Sequence, residues 1–356
     1  MRVLLMELGQ SDREKKQHME RLIQLFRSLP EMETELLCHE NSTLADFAQR
    51  AGMSCLIWPE SAPGKLMTYL KLHWKMRSHN RILLSFDQES LDLALRLAER
   101  KKHIKLVYST LNPTPPRLKK SMEHFHRIDA VVTGSETAAK ALADDGFAEA
   151  VLHVAGNGQE PDPKRRARRT PKDSKIVFVC SDSLEPRRGY ECLIRALPSL
   201  YQFTDMPSWE LRIAGGGSQF ENLLALAKEL AADGRLAILG PDNCADILRD
   251  GDILIAPAEV NEGSGLAVKE GWAGGLAVLC SDIPLHLELV NDGSNGRCFR
   301  SADPGHLAEL MHTLALDKKL RDKLSRGGKK SLAAHSEQIM LQKYLEVFQQ
   351  ISAQAN

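Results

Sequence analysis

Two glutamates stand eight positions apart in "NEGSGLAVKEGWAGG" (261–275), on either side of a turn of small residues. The preceding run "DILIAPAEV" predicts a strand that ends at Pro257, and two glycines then let the backbone turn tightly before a helix begins. The first backbone N–H groups of a helix lack intrahelical acceptors and attract an anion. The stretch therefore predicts an anion-binding site, suited to phosphate, at Gly265, Leu266 and Ala267.

The two glutamates, Glu262 and Glu270, flank this predicted site. A helical rise of about 1.5 Å per residue places them at most roughly 12 Å apart, which is the scale of a diphosphate between two sugars. A bound phosphate would repel a carboxylate unless the carboxylate held hydroxyl groups of its own, and sugars supply such groups. The alternative is that Glu262 is a solvated turn residue and Glu270 an exposed helix position.

The elements that must position this site begin with an N-terminal series of strands and helices. Short apolar runs at 2–8, 81–86, 104–109 and 129–135 predict buried strands, each followed by a helical pattern. Such alternation is typical of a parallel sheet covered on both faces. Residues 1–158 are therefore predicted to form one doubly wound, Rossmann-like α/β domain.

A proline-rich and basic stretch interrupts this pattern and predicts a linker at 159–174. The alternation then restarts, which predicts a second doubly wound domain at 175–335. Its predicted strands are 175–181, 209–215, 236–240, 252–257 and 276–281, with helices at 189–201, 218–233 and 265–275.

The C-terminal tail, 304–352, reads as amphipathic helix without strand signals. Its last part, 336–356, is predicted to pack back on the N-terminal domain. The two domains are predicted to face a cleft between the carboxyl ends of two parallel sheets, where open α/β folds bind ligands.

Composition narrows the class of protein. The chain has 356 residues, of which 43% are hydrophobic and 26% charged, so it is predicted to fold with more than one core. Its net charge of zero provides no global field for nucleic acid. Seven cysteines without zinc-like spacing favour a reduced, cytoplasmic protein that needs no metal. No apolar run reaches the ~18 to 20 residues of a membrane span, so an integral membrane protein is not expected.

Residues outside the glutamate stretch are also candidates for ligand contact. Gly9 follows the first strand, where a glycine permits close approach of the backbone to a ligand. Asp87 ends another strand and is predicted either to meet an acceptor hydroxyl group or to cap the helix at 88–99. The glycine run at 214–219 lies between a strand and a helix, but it lacks the full spacing of a nicotinamide site and disfavours a dehydrogenase.

The stretch "KLMTYLKLHWKMRSHNR" (65–81) intersperses Lys and Arg with large apolar side chains. That mixture suits an anionic lipid surface. The alternative is an ordinary surface helix whose apolar side packs on the sheet.

The segment "PAEVNEGSGLAVKEGWAGGLAVLCSDIPLHLELVNDGSNGRCF" (257–299) resembles the retaining GT-B glycosyltransferases of family GT4, also called glycosyl transferases group 1. It is similar to the family pattern P-S-x-x-E-G-F-G-L-x-x-x-E-A-x-A-x-G-x-P-V and its trailing D-G-x-N-G. The likeness continues, in the family's order, in "CSDSLEPRRGYECLIRAL" (180–197), "LRIAGGG" (211–217), "LAILGPDN" (236–243) and "VAGNGQEPD" (154–162). It covers nearly all of the C-terminal domain.

This resemblance implies a role for each carboxylate of the opening stretch. Glu270 would hold the ribose hydroxyls of a nucleotide diphosphate sugar, and Glu262 would bind the transferred sugar. The backbone from Ser264 to Ala267 would cradle the sugar and diphosphate. Arg188 would neutralise the leaving diphosphate, with a solvated cation at a helix start as its alternative reading.

Other positions match the family pattern less fully. Ser183 stands where the family usually has an arginine, and Ser264 replaces a common phenylalanine. The histidine that the family often has after the fifth strand is replaced by Ser109, Thr110 and Asn112. The donor is expected to approach Gly216, and its base the backbone near Gly240.

The resemblance, which includes features of lipopolysaccharide-core enzymes, implies metal-independent transfer of a sugar, without a cofactor, to a glycan or lipid-linked acceptor. Helix 65–81 would then hold the protein at the inner face of the cell membrane. Two other functions stay open: a nonenzymatic nucleotide-sugar-binding pseudo-transferase and a GT-B sugar-nucleotide epimerase.

Overall fold

A computed structural model describes residues 1–9, 13–77, 81–99, 101–111, 126–162, 175–230, 234–261 and 263–353. The chain divides into two compact units. The first comprises Met1–Gly158, Glu262–Ser264 and Glu337–Asn356, and the second comprises Gln159–Asn261 and Gly265–Ser336. The predicted fold class, two doubly wound α/β domains with a C-terminal helical tail, is confirmed. Most of the predicted linker, 163–174, lies outside the described residues.

The first unit is built on a sheet whose described strands are all parallel and run in the order β3-β2-β1-β4-β5-β6-β7. Alternate residues of its first strand enter the cores on opposite faces, because helices cover both sides. The strands are β1 Arg2–Glu7, β2 Glu33–His39, β3 Ser54–Trp58, β4 Arg81–Ser85, β5 Ile104–Thr110, β6 Ala130–Thr133 and β7 Leu152–Val154. The helices are α1 Arg13–Arg27, α2 Thr43–Arg50, α3 Ala62–Lys75, α4 Gln88–Ala98 and α5 Glu136–Asp144.

The second unit has the same design. Its described strands are parallel in the order β10-β9-β8-β11-β12-β13. They are β8 Ile176–Ser181, β9 Trp209–Ala214, β10 Leu236–Leu239, β11 Ile253–Ala256, β12 Ala277–Ser281 and β13 Arg297–Phe299. The helices are α6 Tyr190–Leu200, α7 Phe220–Glu229, α8 Cys244–Asp250, α9 Leu266–Ala273, α10 Pro284–Leu289, α11 Pro304–Leu316 and α12 Lys318–Leu332.

The C-terminal tail contributes to both units. Helices α11 and α12 belong to the second unit, whereas the last helix, α13 (Glu337–Ala353), packs in the core of the first. Tyr344 and Phe348 of α13 lie against Phe26 of α1. The Tyr344 hydroxyl also meets His18 Nε2 at 2.9 Å and Ser109 Oγ at 2.6 Å, so a buried polar chain joins α1, β5 and α13.

The structure corrects the sequence prediction for 65–81, which is not one helix. Helix α3 ends at Lys75, and Arg81 begins β4. Both of these cations pair with Glu35 of β2, so neither is left to form an exposed basic face. Across the part of the chain that the structure describes, no helix is both long and apolar enough to cross a membrane.

Candidate active site

The second unit changes winding direction between β8 and β11. These strands are neighbours, but the chain continues from β8 towards β9 on one side and from β11 towards β12 on the other. Ligands of open α/β sheets bind at the carboxyl ends of strands at such a switch point. The two loops there touch: Glu259 N donates to Arg187 O at 2.9 Å, and a Cβ on Gly189 would lie 1.8 Å from Pro257 O.

Helix α9 begins at this switch point. Gly265 precedes it with a φ of 69°, a left-handed conformation that glycine adopts readily. The first turn of α9, at Leu266 and Ala267, then presents N–H groups without intrahelical acceptors. Glu270 lies one turn further along and is 8% exposed, not on an open helix face. Glu262, the predicted partner of Glu270, lies outside the described residues.

Arg188 brings a cation to the same edge of the sheet. It stands between two residues in the left-handed region, Arg187 (φ 64°) and Gly189 (φ 76°). Its side chain is only 15% exposed, and its Nη1 lies 3.6 Å from Asp182 Oδ2. The guanidinium is therefore held in the loop after β8 and is not a solvated helix-end cation. Its predicted role with a diphosphate stays a prediction.

A buried histidine next to this cation was missed by the sequence analysis. Burial, together with a smaller effect of the Arg188 charge, lowers the pKa of His286 to about 4. Its Nδ1 lies 3.1 Å from the carbonyl oxygen of Ser281, at the end of β12. Because a carbonyl oxygen only accepts, Nδ1 carries the proton of a neutral imidazole. The strand-end spacing in "CSDIPLH" was the only sequence signal for it.

The glycine run after β9 is shaped by packing at two positions but not at the third. A Cβ at Gly215 or Gly217 would lie 1.9 Å from Asp182 O or 2.4 Å from Leu184 O. At Gly216 the nearest atom would be Pro241 Cγ at 3.6 Å, and at Gly240 no atom lies within 4 Å. Contact with a ligand is thus compatible with the space beside Gly216 and Gly240, and their assignment stays a prediction.

The loop after β8 is fixed by further hydrogen bonds. Glu185 accepts from Ser218 N at 3.0 Å and from Ser218 Oγ at 2.6 Å, which holds the pKa of Glu185 below its ordinary value. Ser183 N donates to Asp182 Oδ1 at 2.7 Å. Because the Ser183 side chain carries no charge, this position does not supply the second cation typical of the family.

In the first unit, the switch point lies between β1 and β4, and it holds Gly9 and Asp87. Asp87 Oδ2 accepts from Leu8 N at 2.9 Å, and Oδ1 accepts from Ser90 N at 2.8 Å. The structure therefore shows the capping alternative for Asp87, while its catalytic role stays a prediction. A Cβ on Gly9 would lie 3.0 Å from the Asp87 Cβ, so Gly9 accommodates this cap.

Ser264 also lies in the first unit, with a partner that the sequence did not indicate. Its backbone N–H donates to Glu14 Oε1 at 2.9 Å, and its hydroxyl group donates to the same oxygen. Ser109 is similarly engaged by Tyr344, and Asn112 lies outside the described residues. Among the described residues, no group of three His, Cys, Asp or Glu side chains has the arrangement of a metal site.

Two doubly wound parallel sheets, with a glycine turn, a helix start and an arginine at the second switch point, define the class as GT-B. Residues 161–331 match the family model of glycosyl transferases group 1. They are a domain of that family, and the protein is a glycosyltransferase.

Curated relatives match to different extents. The lipopolysaccharide core biosynthesis glycosyltransferase LpsE of Rhizobium meliloti (strain 1021) is 25% identical over 292 residues, which cover 77% of this chain and 82% of that protein. The phosphatidyl-myo-inositol mannosyltransferase of Mycolicibacterium smegmatis is 32% identical over 154 residues, which cover 42% of this chain and only 39% of that protein.

Among solved structures, Anabaena Alr3699/HepE in complex with UDP and glucose has a TM-score of 0.82. The alignment covers 98% of this chain and 99% of that one, at 14% sequence identity. At this identity the likeness shows the fold alone.

Proposed function

We propose that the protein is a retaining, metal-independent glycosyltransferase that moves a sugar from a nucleotide diphosphate sugar to an acceptor hydroxyl group. The observation that carries the proposal is the placement of Arg188 and the start of α9 at one switch point. The proposed setting is the synthesis of lipopolysaccharide or another cell-envelope glycan, supported by the name of the Rhizobium relative.

The donor diphosphate is proposed to bind the first turn of α9. Backbone N–H groups and the helix dipole favour negative charge there, and Arg188 adds a charged donor of hydrogen bonds. Glu270 is proposed to accept hydrogen bonds from the ribose hydroxyls, and Glu262 from the transferred sugar. The UDP bound by the Anabaena protein supports a nucleotide donor of this kind.

The proposed reaction breaks the bond between the sugar carbon and the donor phosphate oxygen. Arg188 and the α9 N–H groups stabilise the charge that develops on the leaving diphosphate. The acceptor hydroxyl attacks the oxocarbenium-like sugar on the face that the diphosphate leaves, and a donor phosphate oxygen takes its proton. This route needs no protein base, cofactor or metal, and it suits a chain in which Asp87 and Ser109 are both engaged by internal hydrogen bonds.

The acceptor is proposed to be lipid-linked, because helix α3 exposes its apolar side. Leu66, Leu70 and Trp74 follow one another at four-residue spacing and are all exposed, Trp74 to 73%, with Met67 beside them. In contrast, Leu72 is buried. An apolar stripe next to Lys71 fits the interface of an anionic membrane better than it fits water.

A substitution at the start of α9 tests the donor site. Asp at position 267 introduces a negative charge where the diphosphate would lie, yet an acidic residue in the first turn stabilises the helix. In a thermal-shift screen with UDP, GDP, ADP and CMP sugars, the wild-type protein should be stabilised by one donor. Ala267→Asp should lose this response while the neutral control Ala267→Asn retains it; equal responses would contradict the proposal.

Turnover and membrane binding need separate assays. Labelled donor that binds but is never transferred or hydrolysed would favour a pseudo-transferase, and release of a different sugar without acceptor would favour an epimerase.

Membrane binding is tested by flotation with anionic vesicles, which the double variant Leu70→Ser with Trp74→Ser should abolish. Lys71→Gln should weaken it and the distant Lys140→Gln should not. Equal flotation of all variants would exclude α3 as the membrane contact.

A further inference from the structure

A cavity of about 570 Å³ lies within the first unit, between α3 and α4. Its inner end is formed by Leu8, just after β1, and by Trp58, the last residue of β3. The volume falls in the ~300–1,000 Å³ range of small-molecule sites. The cavity therefore stands at the carboxyl ends of the strands, beside the first unit's switch point.

Each of the two helices contributes one continuous face. From α4 come Glu89, Asp92 and Arg96, which have the three- and four-residue spacing of one side of a helix. From α3 come Lys65 and Tyr69, again one turn apart. The cavity is thus lined by two carboxylates, two cations and two aromatic rings.

This combination matches the surface of a carbohydrate. Aromatic rings pack against the apolar faces of sugar rings, whereas carboxylates and guanidinium groups form hydrogen bonds with the hydroxyl groups around the edge of the sugar. Trp58 adds a second indication. It is only 8% exposed, and its indole N–H has no hydrogen-bond partner among the described residues. A buried unpaired donor is costly, so a ligand oxygen would supply a partner.

The cavity also adjoins the exposed stripe of α3. Leu66 belongs to both, since it lines the cavity and is 60% exposed. We infer that the cavity binds the sugar headgroup of an amphiphilic acceptor whose lipid part stays at the stripe. The identification of this ligand as the acceptor rests on the proposed function. Trp58, Glu89 and Asp92 are then specificity-determining residues for the acceptor.

Decyl maltoside below its micelle concentration is a suitable probe, since it has a sugar head and an alkyl tail. Maltose supplies the head alone, and an alkyl oligoethylene glycol ether supplies the tail without a sugar. Ligand-observed NMR on the full chain should show decyl maltoside binding at least tenfold more tightly than either. Equal binding of the two amphiphiles would overturn the inference, because only the tail would then be recognised.

Variants locate the sugar contact. The double variant Glu89→Gln with Asp92→Asn should weaken the binding of decyl maltoside about tenfold. It should leave the binding of the ether unchanged. Trp58→Phe should act in the same direction by removing the indole N–H, and Glu99→Gln at the end of α4 is the matched control. If the α4 pair binds like wild type, the inference fails.

Donor binding to the same variants separates this inference from the proposed function. The α4 pair should leave the thermal-shift response to nucleotide sugars unchanged. A normal donor response with no sugar-dependent amphiphile binding would overturn the inference alone. Sugar-dependent amphiphile binding without any donor response would overturn the proposed function and support the cavity as a glycan site.

Discussion

The switch points of the two units share a topology but use their polar groups differently. In the second unit, Arg188 and a helix start lie at the same switch point, and the space next to Gly240 is open. In the first unit, the Asp87 carboxylate is occupied by backbone N–H groups, and the open space lies to one side, between α3 and α4. The same strand order thus supports a charged site in one unit and an amphiphilic cavity in the other.

The difference follows from what each ligand would demand. A leaving diphosphate requires fixed positive charge at the moment of bond breaking, because preorganised dipoles need no reorganisation then. An amphiphilic acceptor requires apolar contact and directional hydrogen bonds, which a cavity beside an exposed helix provides. Substitutions in the second unit should therefore change the rate and donor affinity, and those in the first unit should change acceptor use.

The largest effect is expected at Arg188. Arg188→Met removes the cation that we propose stabilises the leaving diphosphate, and it should lower kcat by about 10²- to 10³-fold, the loss typical for one electrostatic donor. Arg195→Met, at an exposed pair with Glu191 on α6, is the matched control and should stay within about twofold. Similar kcat values for both variants would contradict the assignment of a charged site to the second unit's switch point.

Acid should weaken the second unit through His286. Its folded pKa of about 4 lies below the ordinary value of 6.5, so the unfolded chain binds a proton that the folded chain does not. Stability is unaffected above pH 6.5 and falls as the pH drops towards 4, by up to about 3 kcal/mol. Urea unfolding of wild type and His286→Asn across this range measures the difference. If the two proteins showed parallel pH profiles, burial would not lower the pKa of His286.

Glu270 should control donor affinity through the ribose. Glu270→Gln weakens hydrogen bonds to a charged acceptor and should raise the Kd of the preferred donor about tenfold. Calorimetry with the 2′,3′-dideoxy nucleotide should show no difference between wild type and variant, because the hydroxyl partners are missing. The exposed Glu221→Gln serves as control. A loss that persists with the dideoxy nucleotide would assign Glu270 to fold stability instead.

The smallest effect is expected at Asp87, where two predicted roles compete. Asn can still cap the helix through its one amide oxygen, but its NH2 group cannot accept from Leu8 N, so Asp87→Asn should cost about 1–3 kcal/mol of stability and leave kcat within a few-fold. A general base would instead lose about 10²- to 10⁴-fold. Initial rates together with urea unfolding decide between the roles. A rate loss of that size without loss of stability would place the acceptor chemistry at Asp87 after all.

The sequence predicted the central strands of both sheets and the edge strand β10, but its strand list lacked β2, β3, β7 and β13. Strands such as β8 and β11 are buried along their whole length, so their sequences are almost continuously apolar. β2 contains exposed or half-exposed glutamates, and β13 has only three residues. Such strands depend on their neighbours for burial, and no local pattern identifies them.

The candidate site divides in the same way. Helix starts, glycine turns and the spacing of Glu262 and Glu270 are local features, fixed by backbone geometry over a few residues, and the sequence alone determined them. The glycosyltransferase class followed from their order along the chain. The hydrogen bond from Leu8 N to Asp87 and the pairing of Ser264 with Glu14 instead join residues that are 79 and 250 positions apart in the chain.

The tertiary structure also decided which side of α3 faces water, and so distinguished its exposed apolar stripe from its packing surface. The mixture of basic and apolar residues at 65–81 is compatible with either orientation. Periodicity records that a helix has an apolar side, whereas burial depends on the shape of the surface that the rest of the chain presents to it. For the same reason the cavity at Trp58 exists only once β3, α3 and α4 have met.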